Sequence, residues 1–404
     1  MSDLNKLAES VREKKASLGP DIKIDEFNGR VNELPYIRDL GEIADIDVKE
    51  MNQAGLDLSG KDRAGTFIQM NHSVVHCNVT QPGVELMDIN QAAAQYGWLN
   101  DYMWKAVDID KDKYTAQTHI KRNHGYFIRS LKGAKMTFPV QACLYLSQEN
   151  IVQSVHNIII AEEDSELHII TGCAVGHGLT SGLHIGISEF YIKPGAKITF
   201  TMIHNWAENV AVRPRSGTIV EDDGVFLSNY VCMKPVKTLQ MYPTARLEGH
   251  HSMARFNSIM VSPPGSHMDV GAEVTLRGEQ SRAEIISRAI TIGGTLTARG
   301  RLIGERASVK AHLECRGLIL SEEGSIIAIP ELEGNVSGVD LSHEAAVGKI
   351  AQEEIEYLMA RGLSEDEATA VIVRGFLNVD IIGLPPELKR ELDKAIEESE
   401  QDLF

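Results

Sequence analysis

No two cysteines in this 404-residue chain are spaced as CxxC; the five, Cys77, Cys143, Cys173, Cys232 and Cys315, are odd in number and widely scattered. That argues against a disulfide framework and a closed four-cysteine zinc site. Most of the five read as small buried hydrophobes, and a chemical one would act alone or with His and carboxylate partners. Long apolar runs are also missing. None approaches the roughly 18–20 residues that span a bilayer, and the polar opening Met1–Ser10 lacks the apolar stretch of a secretory signal. The expectation is a cytoplasmic protein with no membrane partner. Positive charge is scarce, with 40 Lys and Arg against 57 Asp and Glu and a net charge of −17. Phosphates would be repelled, so nucleic acid is not expected as a main partner. No GxxxxGK[ST] loop occurs, so the chain is not an ATPase by that route.

What is present falls into three textures. Residues 1–115 mix helical signals with loops: 3–18 reads as a polar helix stopped by Gly19-Pro20, and 87–107 as a second, carrying Tyr96, Trp98, Tyr102 and Trp104 as core aromatics. From 116 to 338 the period becomes two, in short β-branched runs such as Asn157–Ile160, Leu167–Ile170 and Lys197–Phe200. Turn signals recur at 163–165, 194–196, 222–224, 247–249, 277–279, 304–306 and 323–325, mostly about 25–30 residues apart. Many short strands at a coarse period with little helix predict a β-solenoid, with a β-sandwich as the rival. From 339 to 404 helices return: 351–361 stopped by Gly362, a second opened by the capping box Ser364–Glu367, and a last one from Pro385-Pro386 over 387–400.

The third region carries a specific likeness. Ser342–Ile350 (SHEAAVGKI), Glu354–Ser364 (EIEYLMARGLS) and Ala368–Phe376 resemble the C-terminal signature of the SufB/SufD family of iron–sulfur cluster assembly proteins. Met268–Gly271, Ala283–Arg288, His204-Asn205-Trp206 and Ala161–Cys173 resemble its core strands, so the resemblance spans about 120–390. It implies a mainly β fold: a right-handed parallel β-helix core flanked by N-terminal mixed/helical and C-terminal helical domains. It also implies a SufC-type ABC ATPase partner docked on the C-terminal helical domain, with nucleotide chemistry in that partner and none in this chain. Ser342 and Val347-Gly348 look SufD-like, whereas Glu344 and Cys315 look SufB-like. That mixture suggests a single ancestral type pairing with itself, or with a SufD-like subunit, through the β-helix end that carries Cys315. The cysteine-rich N-terminal motif of some SufB proteins is absent.

The resemblance makes Cys315, His343 and Glu344 the candidate ligands of a transient Fe–S cluster. Stable clusters usually hold four thiolates; one thiolate with imidazole and carboxylate binds less permanently, as a scaffold requires. Cys315 precedes His343 and Glu344 by about 28–29 residues, near the coarse repeat, so one coil of a solenoid would bring the chain back to the same edge. Glu333 and His312 are weaker candidates. His72 with His76, His177 with His184, and His250-His251 read as structural. A sulfur donor and recipient apo-proteins are further expected partners, and nothing bears on flavin. Two other functions stay open: a SufD-like subunit that never carries a cluster, and a carbohydrate-active β-helix enzyme.

Overall fold

A computed structural model describes residues 2–377; the expected helix over 387–400 lies outside the described residues. Strands alternate between two facing sheets, and the chain winds through about eight turns of a β-solenoid. Pairing between successive coils is parallel and in register: Met253–Ser262 lies beside Arg282–Thr291, which lies beside Lys310–Ile319; among the described residues antiparallel pairs occur only at the N-terminal edge of each sheet. Parallel stacking excludes the sandwich. Inward residues such as Ala254, Phe256 and Met260 fill the lumen, while Ile259 and Val261 on the same strand pack outward against helices. Burial on both faces explains runs such as Val152–Ala161, buried at every position, which read as continuous rather than alternating.

One corner of the coil repeats closely. Asp164, Gly195, Asp223, His251, Gln280, Ser308 and Gly338 all have positive φ, 28–31 residues apart. The left-handed turn there favours Gly, Asn and Asp. Backbone N–H groups at the corner reach the next coil, as in Asp223 N to His250 O (2.8 Å) and His251 N to Glu279 O (3.0 Å). Most of the turn signals in the sequence mark or immediately precede this corner. The one at 323–325 belongs to the opposite corner, which is why the last interval is short.

Both domain boundaries fall elsewhere than the texture suggested. Sheet structure begins at Gly65–Met70, which pairs parallel with Val140–Leu146 and antiparallel with Ser73–Val79. At the far end the coil continues past 338 through Asp340–Gly348, so His343 and Glu344 lie in a strand and not at a helix start. The first helix is shorter than expected, Ser2–Ser10. Only Ile89–Gln95 of the second is α-helical, followed by a 3-10 turn at Gly97–Asp101. A helix that the sequence reading missed, Lys113–Ile120, is capped by Asp112. The C-terminal helices Gln352–Met359 and Glu365–Leu377 form as expected, with Glu367 N donating to Ser364 Oγ (3.2 Å) and Ser364 N to Glu367 Oε2 (2.8 Å). Val373 and Leu377 pack on Ile203, Val231, Ile259, Ile290 and Leu318.

The second sheet is interrupted in two successive coils. Asn209–Val212 and Arg215–Val220 are separated at Arg213-Pro214; Thr238–Met241 and Thr244–Leu247 are separated at Tyr242-Pro243. Proline has no N–H to give to a ladder. The carbonyls around the gap are instead served by two arginines, 0% and 2% exposed. Arg213 Nη1 donates to Val212 O and Thr238 O (2.8 and 3.0 Å), and its Nη2 to Pro20 O (3.0 Å). Arg215 Nη1 donates to Pro214 O and Gln240 O (2.8 and 3.2 Å), and its Nε to Asp112 Oδ2 (2.8 Å). Arg215→Met is expected to cost about 3–5 kcal/mol, because it leaves Asp112 buried and unpaired. Urea unfolding would measure this, and adding Asp112→Asn should recover part of the loss.

Candidate functional site

Cys315 lies on Lys310–Ile319, whose alternation turns Ala311, Leu313 and Cys315 into the lumen and His312, Glu314 and Arg316 outward. The next strand of that sheet, Asp340–Gly348, pairs with it so that His343 sits beside Leu313, Glu344 beside Glu314 and Ala345 beside Cys315. Paired residues in a parallel ladder share a face. His343 therefore joins Cys315 on the inward face, one level away, and Glu344 stands on the outward face. There Arg316 Nη2 donates to Glu344 (3.4 Å), Arg316 Nε meets Glu314 (2.8 Å), and Arg288 Nη1 donates to Glu314 (2.6 Å). His312 Nδ1 meets Ser342 Oγ at 2.9 Å on that same face. Glu333 is tied to Arg301 on the other sheet. One coil does return the chain to the same edge, but it brings together Cys315 and His343 and sets Glu344 apart.

This is the open end of the solenoid. Among the described residues Asp340–Gly348 pairs with no further strand on its outer side, and apart from half-buried Leu341 it is exposed. Ile327, Leu332 and Val347 are exposed at the same end, and half-buried Ile326, Ala328 and Leu341 border the lumen. Cys315 is 1% exposed, and burial, with Glu314 adding to it, pushes its thiol up to about 11. It rests protonated, and binding a metal ion would release that proton.

Behind Cys315 runs an inward row contributed by successive strands: Tyr230, Ser258, Ser287 and Cys315. The Ser258 and Ser287 hydroxyls are 3.2 Å apart. A second row sets Cys173, His204 and Cys232 side by side. Tyr230 OH meets His204 Nδ1 at 2.8 Å, while His204 Nε2 has no partner among the described residues. Burial drives His204 well below the ordinary imidazole range and His184 down to about 3. It also pushes Cys232 up to about 12. Of these lumenal residues only Cys315 is a candidate ligand in the sequence, since a serine in a strand carries no motif. The signal was the interval: Tyr230, Ser258, Ser287 and Cys315 follow one another at 28–29 residues.

The other histidines have ordinary partners. His72 meets Val152 O and His76 meets Ile37 O, at 2.7 and 2.9 Å. His177 meets Glu50 at 3.1 Å and His184 meets Gln153 at 2.9 Å. His250 lies 3.9 Å from Glu279, and His251 lies 3.3 Å from Asp223, at the exposed corner. No group of three or more His, Cys, Asp or Glu side chains among the described residues is arranged to hold a metal ion. One copy of this end offers Cys315 and His343 and too few ligands for a cluster.

Comparison with known proteins agrees on one family. Residues 144–376 match the description "SUF system FeS cluster assembly, SufBD core domain". The chain is 48% identical, over 99% of both chains, to an iron–sulfur cluster assembly SufBD family protein of Methanothermobacter thermautotrophicus strain Winter. It is 49% identical to one from Archaeoglobus fulgidus, over 90% of this chain and 98% of the relative. The iron–sulfur cluster assembly protein SufB of Bacillus subtilis is 29% identical over 82% of this chain and 73% of its own length.

Proposed function

Because this chain belongs to the SufBD family of iron–sulfur cluster assembly proteins, we propose that it is a scaffold on which a transient cluster is built at the open end of the β-helix and then passed on. The observation that carries this is the pairing that puts Cys315 and His343 on one inward face of an uncapped end. Thiolate and imidazole are ligands for iron, and a set poorer in sulfur than four cysteines favours release. Glu344 offers a carboxylate one residue away, on the outward side. The missing ligands come from a second copy, or a SufD-like partner, docked at this end; a two-fold contact doubles whatever each copy presents.

The energy source in this reading is a SufC-type ABC ATPase bound to the C-terminal helices, where Tyr357 and Val371 are exposed. The chain itself is then no enzyme. A sulfur donor and apo-proteins complete the cycle, in the cytoplasm; no helix among the described residues is long and apolar enough to cross a membrane. Anaerobic reconstitution with ferrous iron and sulfide tests the proposal. The wild type should develop iron–sulfur charge-transfer absorbance, and Cys315→Ala should lose at least nine-tenths of it. No absorbance in the wild type would overturn it in favour of a subunit that carries no cluster, the reading that the buried, protonated thiol favours, and full absorbance in Cys315→Ala would overturn the site at Cys315. Size exclusion with the ATPase should give a two-to-two assembly, and a one-to-one complex would rule out the self-paired form.

A further inference from the structure

Arg213 is a wholly buried cation without a counter-charge. Its partners are all neutral oxygens: the carbonyls of Val212, Thr238 and Pro20 and, through Nη2, the Thr238 hydroxyl at 2.8 Å. No carboxylate among the described residues forms an ion pair with it. The two nearest candidates are taken, Asp112 by Arg215 Nε and Asp21 by Lys113 Nζ at 2.6 Å. Lys111 adds positive charge beside Arg215. Burial accordingly pushes Arg213 below its ordinary range. Buried charges are ordinarily paired, because desolvating one alone is costly.

Three donors around the same ring also lack partners. Arg213 Nε, Arg215 Nη2 and the Tyr114 hydroxyl are buried and make no hydrogen bond among the described residues. The Tyr114 ring lies against both guanidiniums, 5.7 Å from Arg213 Cζ and 5.2 Å from Arg215 Cζ. Local structure brings them there. Arg213 and Arg215 flank Pro214 on the outer side of the second sheet, where Ala211 and Ile187 pack in one cluster with Tyr114. Asp112 caps the helix that carries Tyr114. One rival closure is internal: Gln240 Oε1 is also unpartnered, and Arg215 already holds the Gln240 carbonyl. Pairing Arg215 Nη2 with that amide would still leave Arg213 Nε, the Tyr114 hydroxyl and the charge of Arg213 unanswered. We propose that Arg213 Nε, Arg215 Nη2 and the Tyr114 hydroxyl bind one small monovalent anion of halide size. A single uncompensated guanidinium calls for one negative charge, and a phosphate or sulfate would bring more acceptors than three donors serve. Because Arg213 also holds Pro20 O and Arg215 holds Asp112, the anion fastens two N-terminal segments onto the interrupted strands. The site lies outside the lumen and stands whether or not the chain carries a cluster.

Bromide tests the site directly. Crystals of the full-length protein grown in sodium bromide should show an anomalous peak within hydrogen-bonding reach of the three donors. No anomalous peak there, whether the point holds a water or nothing, would overturn the proposal. In solution, chloride should raise the unfolding temperature of the wild type by at least about 2 °C over gluconate at equal ionic strength, and the rise should saturate. General salt effects would give the opposite order, since gluconate is the more strongly excluded from protein surfaces. Tyr114→Phe keeps the ring and removes one donor, so half-saturation should need at least about tenfold more chloride. Arg213→Gln removes the excess charge and should abolish the chloride dependence. An absent response in the wild type, or an equal one in Tyr114→Phe, would remove the site. Should Arg213→Gln fail to fold, Tyr114→Phe and the bromide map of the wild type decide.

Discussion

Glu189→Ala is expected to destabilise the protein by at least about 4 kcal/mol and to free the segment around Trp104, because one carboxylate satisfies six donors there. Its oxygens accept from the backbone N–H of Trp104, Lys105, Ala106 and Val107 at 2.6, 2.8, 2.7 and 3.2 Å. His156 Nε2 and Tyr191 OH complete the set at 2.8 and 2.9 Å. Glu189 and His156 are both 0% exposed, so no water replaces a lost partner. Trp104 has φ +61, a strained backbone that this cluster of bonds holds in place. These bonds hold Trp104 to Val107 out of the helix expected over 87–107. Urea unfolding measures the loss, and hydrogen exchange at 104–107 shows where it falls. Glu189→Gln should lose less, since one acceptor oxygen remains. Burial works against the charge of Glu189, but His156 and the backbone donors outweigh it and hold the carboxyl below its ordinary range. Burial keeps His156 neutral, as it does His184 and His204. Each of these groups has a folded pKa below its unfolded value, so the unfolded chain takes up protons first on acidification. Stability should therefore fall steadily once pH drops below about 6.5, the unfolded imidazole value.

The second large effect separates His343 from Glu344. His343→Ala should lower reconstituted iron and sulfide at least threefold and speed loss of the cluster to a chelator at least tenfold. Glu344→Ala should stay within about twofold on both. The argument is one of faces: His343 shares the inward side with Cys315, and Glu344 is spent on Arg316 outside. Equal losses in the two variants would carry a structural message. A one-residue slip of an edge strand turns every side chain to the other face, and Asp340–Gly348 is an edge held from one side. An assembled pair in which that strand slips would present Glu344 inward and withdraw His343.

The period of two and the coarse turn interval made the coiled β architecture readable, and the tail residues from Ser342 to Phe376 made the family readable. The faces were not. Whether His343 or Glu344 shares the face of Cys315 depends on the register of Asp340–Gly348 against Lys310–Ile319, and spacing alone gave a return to the same edge without saying which side. The boundary at 338 failed because the last coil carries an exposed, polar strand, Asp340–Gly348, whose composition resembles a loop or a helix start. Nothing in the sequence marks Glu189, Arg213 and Arg215 as buried. Their burial follows from the N-terminal segments that lie across the second sheet, and no local pattern announces a contact made across about 80–200 residues.

The left-handed corner has a consequence for length. Seven corners from Asp164 to Gly338 make six steps, and a parallel ladder advances roughly 4.8 Å per step, so this stretch measures about 29 Å and no intermediate value. A change of one or two residues within a coil must bulge out at a corner. Only the gain or loss of a whole unit, from one left-handed residue to the next, preserves which side chains face the lumen. The distance between the corner at Asp164 and the open end is thus set in discrete increments, as notches are on a ratchet, and each increment also sets how far the interior rows extend behind Cys315.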